Sequence, residues 1–191
     1  MKLYLDGCSF TYGLGLEAKD TLASLFTRNG YTVNNQARNG KSNLAIVMDA
    51  YKNFHDHDVV VLGFTYSGRF HLRYQDIDLD FQPNFYPMAV PRQDYNSAGL
   101  EQAYENFHKY FYTLYQAPFC DELSDCIIDN LCTAIRSAGK TLVAFSWEQR
   151  KIKNTLIYPY IGPDLRLPDM HLNATGTQYL FDLLQEKIAT Q

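Results

Sequence analysis

Positive charge is the first thing this sequence has little of. Lys and Arg number 17 against 21 Asp and Glu, for a net charge of −4. A protein that holds nucleic acid by neutralising phosphates carries the opposite balance, so nucleic acid is not expected as a partner. Long hydrophobic runs are also missing. No stretch approaches the roughly 20 apolar residues that a membrane-spanning helix needs. The opening residues Met1-Lys2-Leu3-Tyr4-Leu5-Asp6 carry charge where a secretory signal would be apolar. The expectation is a cytoplasmic chain with no membrane partner. Glycine and proline number only 11 and 7, which excludes collagen-like and low-complexity chains.

Cysteine is scarce too. There are four, Cys8, Cys120, Cys126 and Cys132. The last three are six apart in a segment that reads as helical, so they point about 120° apart around the axis and cannot share a face. Free thiols are expected, with no metal and no other cofactor.

What is present is a globular composition, 46% hydrophobic and 20% charged, with 15 Tyr and 12 Phe. A chain of 191 residues fits one domain and buries roughly 70% of its unfolded surface. Tyrosine has an apolar ring and a polar tip, which suits cleft walls. The sequence reads as one domain over 1–191, without internal repeats.

Strand and helix patterns alternate along it. Leu3-Tyr4-Leu5-Asp6 reads as a first strand, followed by a helix from Thr21 to Arg28 that stops at Asn29-Gly30. Tyr31 to Asn34 reads as a second strand, and Ser42 as the N-cap of a helix carrying Leu44, Ile46, Val47 and Tyr51. Val59 to Phe64 is a continuous apolar run, as a central parallel strand requires. From Arg69 to about Ser97 the pattern breaks, with Pro83, Pro87 and Pro91 four apart, so a Tyr-rich insertion or lid is expected at about 69–97. Helices are expected around Gly99–Tyr115 and Asp121–Ala138, a strand at Thr141–Ser146, and a last helix from Asn173 to Lys187. Thr155-Leu156-Ile157-Tyr158 is the one candidate for a fifth strand. Alternating strands and helices make a parallel sheet covered on both faces, a three-layer α/β/α sandwich.

Ligands bind such sheets at the carboxyl ends of the strands. Three segments lie there: Gly7-Cys8-Ser9, Gly40-Lys41-Ser42-Asn43 and Gly63-Phe64-Thr65. A serine hydroxyl needs a base in hydrogen-bond reach to act as a nucleophile. His171 is the candidate base. Asp169, two residues earlier in an extended loop, can orient the imidazole. An oxyanion needs donors, for which the backbone N–H groups of Ser9 and Gly40 are candidates, with Asn43 and Thr65 as side-chain donors.

These residues resemble the SGNH (GDSL-like) hydrolases. The likeness rests on Gly7-Cys8-Ser9-Phe10-Thr11-Tyr12-Gly13, on Asn39-Gly40-Lys41-Ser42-Asn43, and on Asp169-Met170-His171-Leu172-Asn173 followed by Gly176. It implies a flavodoxin-like sheet and metal-free hydrolysis of a small-molecule ester or thioester through an acyl-serine. Ser9 would be the nucleophile, His171 the base, Asp169 its partner and Gly40 an oxyanion donor. One block departs from the family: where Gly-x-Asn-Asp is usual, this chain has Gly63-Phe64-Thr65-Tyr66, so Thr65 stands in the place of an amide donor. The Tyr-rich composition favours a small acyl group on a polar alcohol such as a sugar. A weakly active or inactive binding domain of the same fold, and an acyltransferase using the same triad, are the alternatives.

Two other patterns compete. Asn35 to Ser42 is one residue away from a phosphate-binding loop, but no later strand ends in the Asp that would hold Mg²⁺. His55-Asp56-His57-Asp58 has a metal-site composition but precedes a strand, at the amino end of the sheet, where a solvated turn is expected.

Overall fold

The computed structural model of the chain describes residues 1–74, 77–81, 117–147 and 156–191. Five parallel strands form one sheet: β1 (Lys2–Gly7), β2 (Thr32–Asn35), β3 (Val59–Phe64), β6 (Thr141–Ser146) and β7 (Leu156–Ile157). Their order is β2-β1-β3-β6-β7, the flavodoxin-like order in which the winding reverses between β1 and β3. The helices are α1 (Ser9–Tyr12), α2 (Leu22–Arg28), α3 (Asn43–Asn53), α4 (Ala117–Ser137) and α5 (Ala174–Ala189).

Period-two alternation divides the core. Leu3, Leu5, Val59, Val61, Val143 and Phe145 face α2 and α5, where Leu22, Phe26, Leu180 and Leu184 cover them. Tyr4, Val60, Leu62, Phe64, Leu142 and Ala144 face α3 and α4, where Ile46, Ala50, Ile128 and Leu131 cover them. Both faces of the central strands are therefore apolar, as an all-parallel sheet demands. This is the three-layer α/β/α sandwich expected from the alternation.

The helix starts follow from their caps. Thr21, Ser42 and Asn173 each accept a backbone N–H three residues on, which satisfies a donor that a helix leaves open. Helix α4 starts at Ala117, four residues before the expected Asp121; Pro118 is tolerated there because first-turn N–H groups have no helical partner. The stretch that breaks the pattern after Arg69 begins with an antiparallel hairpin, β4 (Phe70–Tyr74) and β5 (Ile77–Phe81). The rest of the expected insertion, and the helix expected at 99–115, lie outside the described residues.

His55 to Asp58 forms the turn entering β3. Asp58 accepts from the Lys2 backbone at 2.8 Å and His57 Nδ1 lies 2.7 Å from the Asn53 carbonyl. These contacts pin the amino edge of the sheet, far along the strands from Ser9. Among the described residues no helix is long and apolar enough to cross a membrane, and no three His, Cys, Asp or Glu side chains are grouped as metal ligands. Cys8 and Cys132 are buried free thiols and Cys126 an exposed one.

One contact brings α1 down onto the sheet. Gly7 and Gly63 are register partners on β1 and β3. The buried Thr11 side chain fills the hollow they leave: a Cβ on either glycine would stand 2.2 Å from Thr11 Oγ1. On Gly63 it would also meet the Phe145 ring at 2.7 Å. Gly63→Ala is expected to lower stability by about 1–3 kcal/mol through overpacking, read as a lower Tm. An unchanged Tm would show that α1 is not held this way.

Candidate active site

Strand β1 ends at Gly7, Cys8 caps α1, and Ser9 is the first residue of that helix. The side chain of Cys8 is fully buried, and Ser9 is nearly so at 3%. The C-terminal segment comes to meet it. His171 Nε2 lies 2.9 Å from Ser9 Oγ across 162 residues of chain. Asp169 Oδ2 lies 3.1 Å from His171 Nδ1. With the imidazole proton on Nδ1, facing the carboxylate, Nε2 is free to accept from the Ser9 hydroxyl.

The Asp169 contact is close but bent, and Nδ1 makes no aligned hydrogen bond. Asp169 instead accepts from the His171 backbone N–H at 3.1 Å. Slight burial raises its carboxyl, but the His171 N–H and imidazole outweigh that and hold it below the ordinary carboxylate range. It is therefore an anion at neutral pH.

The loop that presents these two residues is tightly tied. Arg166 and Leu172 pair as an isolated bridge, and Leu167 N–H donates to the His171 carbonyl at 2.7 Å. Arg166 Nη1 donates to the Met170 carbonyl at 2.7 Å. Met170, between Asp169 and His171, has φ 71°, a left-handed conformation that costs a non-glycine residue roughly 1–3 kcal/mol and persists only where neighbours fix it. Asn173 secures the far end, donating from Nδ2 to the Asp164 carbonyl and accepting from Gly176 N–H. A Cβ on Gly176 would fall 2.2 Å from the Leu165 carbonyl, so the first turn of α5 sits directly on the 163–165 turn.

The imidazole also has an aromatic floor. The Phe10 ring lies 4.7 Å from His171 and 4.7 Å from Trp147, which packs edge-on against Phe145. Phe10 follows Ser9 and Trp147 follows β6, so the two strand ends supply one surface against which His171 rests.

The expected oxyanion donors divide. Gly40 is buried with φ 75°, a conformation that favours glycine. Among the described residues, neither the Ser9 N–H nor the Gly40 N–H has an acceptor. Asn43 requires a correction. Its Nδ2 donates to the Thr65 carbonyl and to Ser124 Oγ, both at 2.9 Å, and its Oδ1 accepts from Thr65 N–H at 2.8 Å. Both amide hydrogens are committed to joining α3, β3 and α4, which removes Asn43 as a free donor. Thr65 Oγ1 is buried without a hydrogen-bond partner among the described residues.

Sequence reasoning missed a buried charge cluster beside these groups. Lys41 and Asp6 are both fully buried. Lys41 Nζ lies 2.7 and 2.8 Å from the two Asp6 oxygens, 2.7 Å from Asp49 Oδ2 and 3.1 Å from the Gln36 carbonyl. Asp6 also accepts from Tyr4 Oη and from Gly7 N–H. Burial pushes its carboxyl up to about 6 against the pull of Lys41, Tyr4 and Gly7. The lysine that made Asn35–Ser42 look like a phosphate loop is thus turned inward. The available signal was a lone Asp closing an apolar strand.

No protein-family model and no curated protein matches the chain. Solved structures do match across nearly its whole length. The psychrotrophic esterase EstA from Pseudoalteromonas sp., solved inhibited by monoethylphosphonate, is 9% identical with a TM-score of 0.56, and the match covers 99% of this chain and 97% of that one. The lipase Lip_vut3 from a goat rumen metagenome is 9% identical with a TM-score of 0.52, covering 98% and 97%. At such identities the likeness is one of fold, and the chain shares the three-layer α/β/α architecture of these two proteins.

Proposed function

We propose that the protein is a serine ester hydrolase of SGNH type. The observation that carries this reading is the 2.9 Å contact between Ser9 Oγ and His171 Nε2, with Asp169 on the other ring nitrogen. That the solved structures sharing the fold include an esterase and a lipase supports it.

The chemistry runs in two halves. Ser9 Oγ attacks the acyl carbonyl as His171 Nε2 takes its proton. The Ser9 and Gly40 N–H groups donate to the oxyanion of the tetrahedral intermediate. The intermediate collapses, His171 returns the proton to the departing alkoxide, and the alcohol leaves an acyl-Ser9 ester. Water then attacks that ester with His171 again as base, releasing the carboxylic acid and restoring Ser9. No metal or redox partner enters the balance. Asp169 steadies the imidazolium that forms in each half. The substrate is a small-molecule ester, with a short acyl group on a polar alcohol such as a sugar, acting in the cytoplasm.

The first test is hydrolysis of p-nitrophenyl acetate against p-nitrophenyl palmitate. Turnover of the acetate with a nitrophenol burst, and little of the palmitate, is expected. Preference for palmitate would overturn the short-acyl assignment.

Asp169→Asn gives a graded check. Because the carboxylate is 42% exposed and off the ring N–H axis, its loss is expected to lower kcat at least about tenfold less than loss of His171 does. Equal losses would mean that Asp169 swings into line when substrate binds.

A second reading, a weakly active binding domain, is favoured by one observation: of the two side-chain oxyanion donors expected from the sequence, Asn43 is committed and Thr65 Oγ1 alone remains. Absence of a typical donor lowers kcat about 10²–10³-fold.

A further inference from the structure

We infer that Lys41 is a positioning residue that sets the spacing between the two backbone donors of the oxyanion site, Ser9 N–H and Gly40 N–H. The inference rests on the esterase reading above and adds to it a residue that never touches substrate.

The ammonium has three N–H donors, and its acceptors come from three parts of the chain. Asp6 lies near the end of β1, Gln36 in the loop after β2, and Asp49 on α3. Gly40 immediately precedes Lys41, and Ser42 caps α3 immediately after it. On the other side, the carboxylate that Lys41 grips also accepts from Gly7 N–H at 2.7 Å, two residues before Ser9. The Gly7 carbonyl in turn accepts from Arg38 N–H at 3.1 Å, and the Leu5 carbonyl from Gln36 N–H at 2.8 Å. One ammonium therefore joins the segment that carries Ser9, the loop that carries Gly40, and the helix behind them.

Folding alone does not call for such a group. A buried ion pair is often no more stabilising than well-packed apolar side chains of the same volume, so its use points to fixed geometry. An oxyanion site needs that geometry. Two donors must sit at hydrogen-bond distance from one developing oxygen, and misplacement by about 1 Å can lower the rate 10²-fold. Arg38 also reaches Asp49, but at 3.9 Å and from a part-exposed position. Lys41 is the fully buried cation of this junction.

Three proteins test this: wild type, Lys41→Met and the double variant Asp6→Asn/Lys41→Met. Lys41→Met alone strands a carboxylate and can fail to fold. The double variant removes both charges, while the amide introduced at position 6 can still accept from Gly7 N–H through its oxygen and donate to Tyr4 Oη through its NH2. The expected result is a folded double variant with kcat for p-nitrophenyl acetate down about 10²-fold and KM within about twofold of wild type. Amide hydrogen exchange should accelerate in the 36–42 loop, a readout that needs no activity. A folded double variant with wild-type kcat, or with unchanged exchange in that loop, overturns the inference and leaves the esterase reading standing. An inactive wild type overturns the esterase reading itself, and the inference with it.

Discussion

Ser9→Ala is expected to lower kcat for ester hydrolysis by on the order of 10⁴–10⁶-fold, and His171→Ala by a similar factor. The reason is that the two atoms work as one unit. The hydroxyl is a poor nucleophile without the imidazole 2.9 Å away, and the imidazole has no proton to take without the hydroxyl. The double variant Ser9→Ala/His171→Ala should therefore be no slower than either single variant. Neither change should unfold the protein. Ser9 accepts from Gly13 N–H and Leu14 N–H through its carbonyl, which alanine retains. His171 is tied to its loop through its backbone N–H and carbonyl. Losses that multiply in the double variant would mean that the two residues act in separate steps, contrary to the mechanism proposed.

Lys41→Met is expected to destabilise the fold by about 3–5 kcal/mol, because it leaves a buried carboxylate without its cation. For a domain of this size that lowers Tm by roughly 6–20 °C. The loss should depend on pH, with a sign that follows from Asp6. Beside Lys41 its carboxyl is raised to about 6 from an ordinary 3.8. Without Lys41 the pull downward is gone and the folded value rises further. A carboxyl whose folded value exceeds its unfolded value carries no penalty below the unfolded value, and the full penalty above the folded one. The gap between wild type and Lys41→Met should therefore be largest near pH 8 and shrink towards pH 5, as Asp6 takes a proton and ceases to be a stranded anion. Asp6→Asn/Lys41→Met should recover most of the lost stability at pH 8. Denaturant titrations at the two pH values measure this, and a pH-independent gap would show that Lys41 acts through packing alone.

Both expectations depend on parts of the molecule that the sequence disclosed unevenly. The sheet was legible because hydrophobic pattern encodes it directly. Val59–Phe64 and Thr141–Ser146 are apolar on both faces, as only buried parallel strands are. Ser42 and Asn173 announced helix starts by chemistry that acts within three residues. The short fifth strand was visible only as Leu156-Ile157 amid polar residues, since two paired residues leave little pattern.

The candidate site was legible where spacing is local and hidden where contacts are long-range. Asp169 and His171 are two apart, and Ser9 follows a strand end, so all three stood out. Asn43 did not disclose that its amide would be taken up by Thr65 and by Ser124, 81 residues away. Nothing local to Phe10 discloses its service as a floor for His171, which depends on Trp147 arriving from another strand. The Asp6–Lys41 pair spans 35 residues. No local pattern at either residue shows that the Lys41 side chain turns inward to the Asp6 carboxylate.

The central claim is that Ser9 is a nucleophile activated by His171. Intact-mass analysis after treatment with an alkyl fluorophosphonate tests it most directly, because the reagent needs only the nucleophile and its base and no knowledge of the natural substrate. The expected result is one phosphonyl adduct on wild type, mapped to Ser9, absent from Ser9→Ala and formed far more slowly on His171→Ala. A folded wild-type protein that takes up no adduct, or a Ser9→Ala protein that is still labelled, would contradict it.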